Sequence, residues 1–313
     1  MNAAWITLGQ TDVNIPPLGI GTWQWGDRLM WGFGGAYKDD EVRAAFDAAM
    51  EAGLSFFDTA EVYGLGRSEK FLGSFISGNR GEVVIATKFF PFPWRLFKGQ
   101  LLRTLRRSLK RLGVRQVDLY QLHFPPTVRS LETWADALAD AVEAGLTRAV
   151  GVSNFNAEQT GRAYNALADR GVPLASNQIE YSLLHRQPER NGVIQTCRDL
   201  GVTVIAYSPI AKGILTGKYT PENPPPGPRR RIYPPERLAQ IQPLIDLMRE
   251  IGAGHGGKEP VHVALNWVIA KGAVPIPGAK NARHARSNAE ALGWQLTEDE
   301  VAALDKVSEG LDR

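Results

Sequence analysis

Three short apolar runs that read as strands end, one after another, in an ionisable side chain: Asp58 closes LSFFD, Lys88 closes VVIATK and His123 closes VDLYQLH. A tyrosine, Tyr63, follows Asp58 within DTAEVYG. Carboxylate, ammonium, imidazole and phenol groups all hold or release protons, so the set suits acid–base chemistry. Side chains alternate along a strand, which puts Asp58 on a face with Phe56, Lys88 with Ala86 and Val84, and His123 with Gln121 and Leu119. All three can therefore point to one mouth of a closed sheet. Taken singly, each has a structural alternative: Asp58 as the cap of the turn after it, Lys88 as a solvated strand end, His123 as a satisfied polar residue. On three successive strands they point to a site.

The elements that must position these groups alternate between two patterns. Apolar, β-branched runs recur at Leu18 to Gly21, Leu54 to Asp58, Val83 to Lys88, Val117 to His123, Arg148 to Ser153, Leu174 to Glu180, Val202 to Tyr207 and Ala273 to Gly278. Between them lie stretches with helical spacing, among them Asp39 to Ala52, Gln100 to Leu112, Ser130 to Ala144, Ala157 to Arg170 and Val261 to Lys271. Gly53, Gly113, Gly145, Gly171, Gly201 and Gly272 stand where a helix C-terminus expects glycine. Eight strand–helix units predict an α/β fold, a (β/α)8 TIM barrel whose catalytic groups sit where strands pass into loops. The opening WITLGQTDVNIPPLG predicts a β-hairpin around Gly9 to Asp12 at the barrel bottom. The 313 residues suit one barrel domain over 1–313. The Trp- and Gly-rich segment Gln24 to Tyr37 and the proline-rich Pro221 to Pro235 read as insertions, the latter too rich in proline for helix or interior strand.

Composition narrows the function. Lys and Arg number 36 against 33 Asp and Glu, a net charge of +3, which argues against nucleic acid as the main partner. No apolar run reaches the ~18 residues that span a bilayer, and MNAAWITLGQ lacks the basic start and apolar stretch of a signal peptide. No membrane partner and a cytoplasmic location are the expectation. The single cysteine, Cys197, excludes an internal disulfide, and His185, His255, His262 and His284 show no HExxH spacing, so no metal is expected. Gly252 to Gly257 satisfies G-x-G-x-x-G but follows helix-like QPLIDLMREI, so it reads as a helix C-terminal loop.

DTAEVYG (58–64), the Lys88 and His123 strand ends, GVSNF (151–155), NQIEYS (177–182), AYSPIAKGILTGKY (206–219) and PIPGAKN (275–281) together resemble the aldo-keto reductase family, in order, from about Leu8 to Val307. The resemblance implies reduction of an aldehyde or ketone with NADPH and without a metal. In that reading Tyr63 is the general acid, Lys88 lowers its pKa, Asp58 holds the ammonium, and His123 orients the carbonyl. A small-molecule carbonyl compound is the implied partner, acted on by a monomer.

The same resemblance implies cofactor positions. Ser153, Asn154 and Gln178 match the groups that hold the nicotinamide carboxamide, and Tyr207 the aromatic on which the ring stacks. Ser208, Pro209, Ile210, Lys212, Gly213 and Leu215 match the segment beside the pyrophosphate. Gly278, Ala279, Lys280, His284 and Asn288 match the adenosine pocket, where a cation favours NADPH over NADH. The chain departs from the family at His284, where Arg or Gln is common, at Ser287, where Glu is common, and at Phe124, where Trp often stands. Lys280 and Arg283 keep positive charge there. Some members instead serve as NADPH-binding regulatory subunits of membrane channels, and the four proton-handling residues do not separate that role from a reductase. The aromatic runs Phe89 to Phe97 and Trp23, Trp25 and Trp31 suit either a pocket lining or loop packing, and Arg229 to Arg231 either a cover over the pyrophosphate or a solvated charge run.

Overall fold

The computed structural model describes residues 5–77 and 80–312. Two short strands, β1 (Ile6–Thr7) and β2 (Asn14–Ile15), pair antiparallel as the expected hairpin. Eight parallel strands follow: β3 (Ile20–Gly21), β4 (Phe56–Asp58), β5 (Val84–Phe89), β6 (Val117–Leu122), β7 (Thr147–Ser153), β8 (Leu174–Glu180), β9 (Thr203–Tyr207) and β10 (Val274–Pro275), each beside its predecessor. The sheet closes where Gly19 and Gly21 donate backbone hydrogen bonds to the carbonyls of Pro275 and Pro277, both at 3.0 Å. Gly21 is required at this seam, because a Cβ there would lie 2.8 Å from the Ile276 carbonyl oxygen.

The helices are α1 (Asp39–Glu51), α2 (Arg67–Phe75), α3 (Gly99–Leu112), α4 (Leu131–Glu143), α5 (Ala157–Ala168), α6 (Gln187–Arg190), α7 (Val193–Asp199), α8 (Arg229–Ile232), α9 (Pro235–Gly254), α10 (Pro260–Ala270), α11 (Ala282–Ala289) and α12 (Glu298–Ser308). All six glycines read as helix stops adopt positive φ, where glycine carries no Cβ penalty. Two expectations are revised. The proline-rich insertion does hold a helical turn, α8, since its prolines flank the arginines and leave their N–H groups free to bond. The glycines after QPLIDLMREI lie partly inside α9, which runs on through Gly254.

Strand alternation sorts the core into two shells. Phe56, Ala86, Leu119, Ala149, Ala175, Ile205 and Val274 fill the barrel interior, plugged from below by Leu8, Val13 and Ile15 of the hairpin. Their neighbours in sequence face the helices, so the strands are apolar on both sides, as parallel strands under helices must be. Above the interior layer, the same inward positions turn polar: Asp58 above Phe56, Lys88 above Ala86, Gln121 above Leu119. No helix among the described residues is long and apolar enough to cross a membrane.

Candidate active site

Parallel pairing brings the polar strand ends into one layer. Lys88 stands opposite Gln121 across β5 and β6, and Ser153 opposite Gln178 across β7 and β8. Lys88 is fully buried; its Nζ forms an ion pair with Asp58 Oδ1, donates to the Thr59 carbonyl at 2.9 Å and to the Tyr63 hydroxyl oxygen at 3.4 Å. The other carboxylate oxygen of Asp58 accepts from Gln178 Nε2 at 2.8 Å and from Gln121 Nε2 at 3.2 Å. A buried ion pair persists only when its remaining lone pairs and protons are satisfied, and these two glutamines with the Thr59 carbonyl do that.

Tyr63 opens a tight turn, Tyr63–Gly66, five residues past Asp58 at the end of β4. Gly64 carries a φ of 55°, and a Cβ on it would sit 2.8 Å from the Gly26 carbonyl oxygen, so the tight turn that aims Tyr63 back over the barrel needs glycine. His123 meets the Tyr63 ring edge-on, with centroids 5.6 Å apart, and its backbone N–H donates to the Phe89 carbonyl at 2.9 Å. The Nδ1 atom of His123 is buried without a hydrogen-bond partner among the described residues.

Electrostatics fix the protonation of this layer. Burial first, and the Asp58 charge second, hold the Tyr63 hydroxyl well above the ordinary 10.0, so the phenol keeps its proton at neutral pH. This direction is opposite to the lowering expected from Lys88, and burial with the Asp58 carboxylate accounts for it. Burial draws Lys88 below its usual 10.5 against the opposing pull of Asp58. Burial and the Lys88 charge keep His123 well below 6.5, hence neutral, with a single ring N–H to offer a carbonyl oxygen.

Above these residues opens a cavity of about 1090 Å³, bordered by Asp58, Tyr63 and His123 at one end and by Lys280, His284 and Asn288 at the other. Most positions read as cofactor-binding reach it: Ser153, Asn154, Gln178, Tyr207, Ser208, Pro209, Ile210, Lys212 and Gly213, with Gly278 at the barrel seam. Two do not line it. Leu215 is buried in the outer core, and Ala279 is buried with its carbonyl accepting from the Trp25 indole at 2.9 Å. Gln178 Nε2 is already engaged with Asp58, so its side chain joins the proton-handling layer to the strand ends of β7 and β8. The Tyr207 hydroxyl donates to Asn154 Oδ1 at 2.8 Å, and Asn154 Nδ2 donates to Ser153 Oγ and to the His123 carbonyl, both at 3.1 Å.

Backbone strain gathers at the same place. Among the described residues the non-glycine positions with positive φ are Leu65, Asn154, Ser208, Ala211 and Lys212. Leu65 lies two residues past Tyr63, Asn154 follows β7, and Ser208, Ala211 and Lys212 follow β9. Such conformations cost on the order of 1–3 kcal/mol each and persist where surrounding structure and function demand them.

Several contributors were not singled out from the sequence. Gln24 packs on Gly278, with its Oε1 buried and unpartnered. Lys218, together with Arg229 of the arginine run already noted, joins Lys280 and Arg283 at the far end of the cavity, which gives that end a concentrated positive charge. Arg229 thus turns into the cavity while Arg230 and Arg231 stay exposed, so the arginine run divides between the two readings. Glu61 grips the loop after β5: it accepts from the Phe90 N–H at 2.8 Å and pairs with Arg95, whose Nη1 also donates to the Phe90 carbonyl at 2.8 Å. That grip presents Phe90 to His123 at 5.5 Å and Phe124 at 5.5 Å, while Phe124 stacks on His123 at 5.2 Å. Among the tryptophans, Trp25 belongs to the core, whereas Trp23 and Trp31 border the cavity.

The model of the aldo/keto reductase family matches residues 17–309. The chain belongs to the aldo/keto reductase family. Among relatives of this aldo/keto reductase, the chloroplastic pyridoxal reductase of Arabidopsis thaliana is 42% identical, covering 96% of this chain and 85% of its own. The L-glyceraldehyde 3-phosphate reductase of Escherichia coli K12 is 29% identical over 95% and 90% of the two chains. In solved structures, glycerol dehydrogenase from Gluconobacter oxydans superposes with a TM-score of 0.85 at 26% identity over 98% and 95% of the chains. A thermostable aldo-keto reductase in complex with the inhibitor epalrestat superposes with a TM-score of 0.78 at 31% identity over 97% and 99%. The aldo/keto reductase barrel described above is shared with both.

Proposed function

We propose that this aldo/keto reductase reduces an aldehyde or ketone to the alcohol with NADPH, Tyr63 serving as general acid, the whole chain acting as one catalytic barrel. The carrying observation is the Tyr63 hydroxyl at 3.4 Å from buried Lys88, at one end of a cavity whose other end is cationic. The residues fit a dinucleotide along that cavity. Gln24 Oε1, His123 Nδ1 and Asn288 Nδ2 are all buried and unpartnered among the described residues, and all border it. Buried polar atoms without partners are costly, so a ligand with polar groups at both ends accounts for them. Lys280, Arg229 and Lys218 would hold phosphates, and Asn154 and Ser153 the carboxamide. When bound, the nicotinamide supplies the hydride that reduces the carbonyl carbon.

The chain's own groups then handle the proton. His123, neutral and next to Tyr63, donates to the carbonyl oxygen and fixes its direction. Tyr63 passes its proton to that oxygen, and the phenolate left behind meets the Lys88 ammonium. Asp58 holds Lys88 in place against the cost of burying it. Trp23 and Phe124 give the carbonyl end aromatic walls, with Phe90 packed against Phe124 and His123, which suits flat aromatic aldehydes, pyridoxal among them. The test is NADPH oxidation at 340 nm across aromatic and aliphatic aldehydes including pyridoxal. Turnover with preference for aromatic aldehydes supports the reading; NADPH binding without turnover of any carbonyl compound overturns it.

A further inference from the structure

Residues 23–37 take no part in the proton chemistry, yet they touch both ends of the cavity. Lys280 Nζ donates to the Trp31 carbonyl at 3.0 Å and lies over the rings of Trp31 at 5.0 Å and Tyr37 at 4.7 Å. The Arg229 guanidinium covers the Trp31 ring at 5.8 Å. From there the contacts run to the chemistry: Trp31 meets Trp23 edge-on at 5.6 Å, and Trp23 stacks on Tyr63 at 6.3 Å. The indole N–H of Trp31 is buried without a partner among the described residues.

We propose that Trp31 is a positioning residue that couples phosphate binding at Lys280 to the shape of the carbonyl pocket through Trp23 and Tyr63. This rests on the nucleotide reading given above. A neutral carbonyl is a weaker partner for an ammonium than a phosphate, so an anion at this end draws Lys280 from the Trp31 backbone. The need for an anion there is visible in Lys280 itself, which burial and the charges of Arg229 and Lys218 pull down to about 8. Trp31 is then freed to resettle, with its unpartnered N–H and the Arg229 cover moving with it, and Trp23 follows against Tyr63. Coupling requires that the two arrangements differ in affinity for the carbonyl compound, and it is reciprocal.

Two measurements on the full-length protein test this. Tryptophan emission is followed during titration with adenosine 2′,5′-bisphosphate and, separately, with 5′-AMP. The bisphosphate, and not AMP, is expected to change emission, and Trp31→Phe is expected to bind the bisphosphate while losing that change. In parallel, the KM of one aldehyde is compared under saturating NADPH and saturating NADH. It is expected to be about fivefold lower with NADPH, the lower end of ordinary coupling, with the ratio falling to about one in Trp31→Phe and Trp31→Ala. Equal emission changes with both nucleotides, or a KM ratio that survives in the Trp31 variants, overturns the coupling and leaves the reductase reading intact. Failure of both nucleotides to bind overturns the nucleotide reading itself.

Discussion

Lys88 holds its ammonium 3.4 Å from the Tyr63 hydroxyl oxygen, from a position with no solvent exposure. A lone ammonium would not survive there; the Asp58 carboxylate, itself pinned by Gln178 and Gln121, makes the burial tolerable. The proton layer is therefore a stability element as well as a chemical one.

That dual role gives a stability prediction. Lys88→Met leaves the Asp58 carboxylate buried without its countercharge and is expected to destabilise the fold by about 3–5 kcal/mol. Combining it with Asp58→Asn removes the uncompensated charge and recovers much of that loss. Urea unfolding of the two variants decides; equal destabilisation by single and double variants would contradict the account.

Stability should also fall on the acid side. His123, His262 and His284 are all held below the histidine value of 6.5, first by burial, and His284 reaches about 4. The unfolded chain then binds these protons more readily than the fold. Their contribution is complete above pH 6.5 and is lost as pH falls from 6.5 toward each folded value, by up to ~1.4 kcal/mol per pH unit for each group. Urea midpoints at about pH 8 and about pH 5 check this, with His284→Gln expected to show a smaller drop than the parent.

Cofactor choice is predicted to rest on one ammonium. Lys280→Met is expected to weaken NADPH roughly 10- to 100-fold, the worth of a charged hydrogen bond, while NADH changes little. Fluorescence titration with both cofactors measures it. Equal weakening would place 2′-phosphate recognition on other cations of the cluster.

The Glu61–Arg95 grip is predicted to shape the substrate pocket. Arg95→Met frees the loop that carries Phe90 and is expected to raise the KM of an aromatic aldehyde about tenfold, roughly 1.4 kcal/mol of binding, with an aliphatic aldehyde much less affected. A uniform rise for both substrates would show that the aromatic wall does not discriminate.

The barrel was legible because both strand faces and the helix-stopping glycines are local patterns, repeated in order along the chain. Helix α2 escaped notice because it is short and contains Gly73, a poor helix residue whose purpose is tertiary. A Cβ at Gly73 would lie 2.6 Å from the Arg111 carbonyl oxygen, so glycine lets α2 lie against α3. The residues at the strand ends were legible from strand alternation. Their hydrogen-bond partners were not: Gln178 lies 120 residues from Asp58, and Arg95 lies 34 from Glu61, so only the closed barrel brings them together. The direction of the Tyr63 shift was misjudged for a related reason, since burial is a property of the packed cavity and not of the motif.

Comparing Tyr63→Phe with the parent protein separates proton donation from cofactor binding, with NADPH oxidation measured on an aromatic aldehyde and NADPH affinity by fluorescence. With Tyr63 as the acid, kcat falls roughly 10²- to 10⁴-fold while affinity stays nearly unchanged. Turnover at the parental rate in Tyr63→Phe would contradict it.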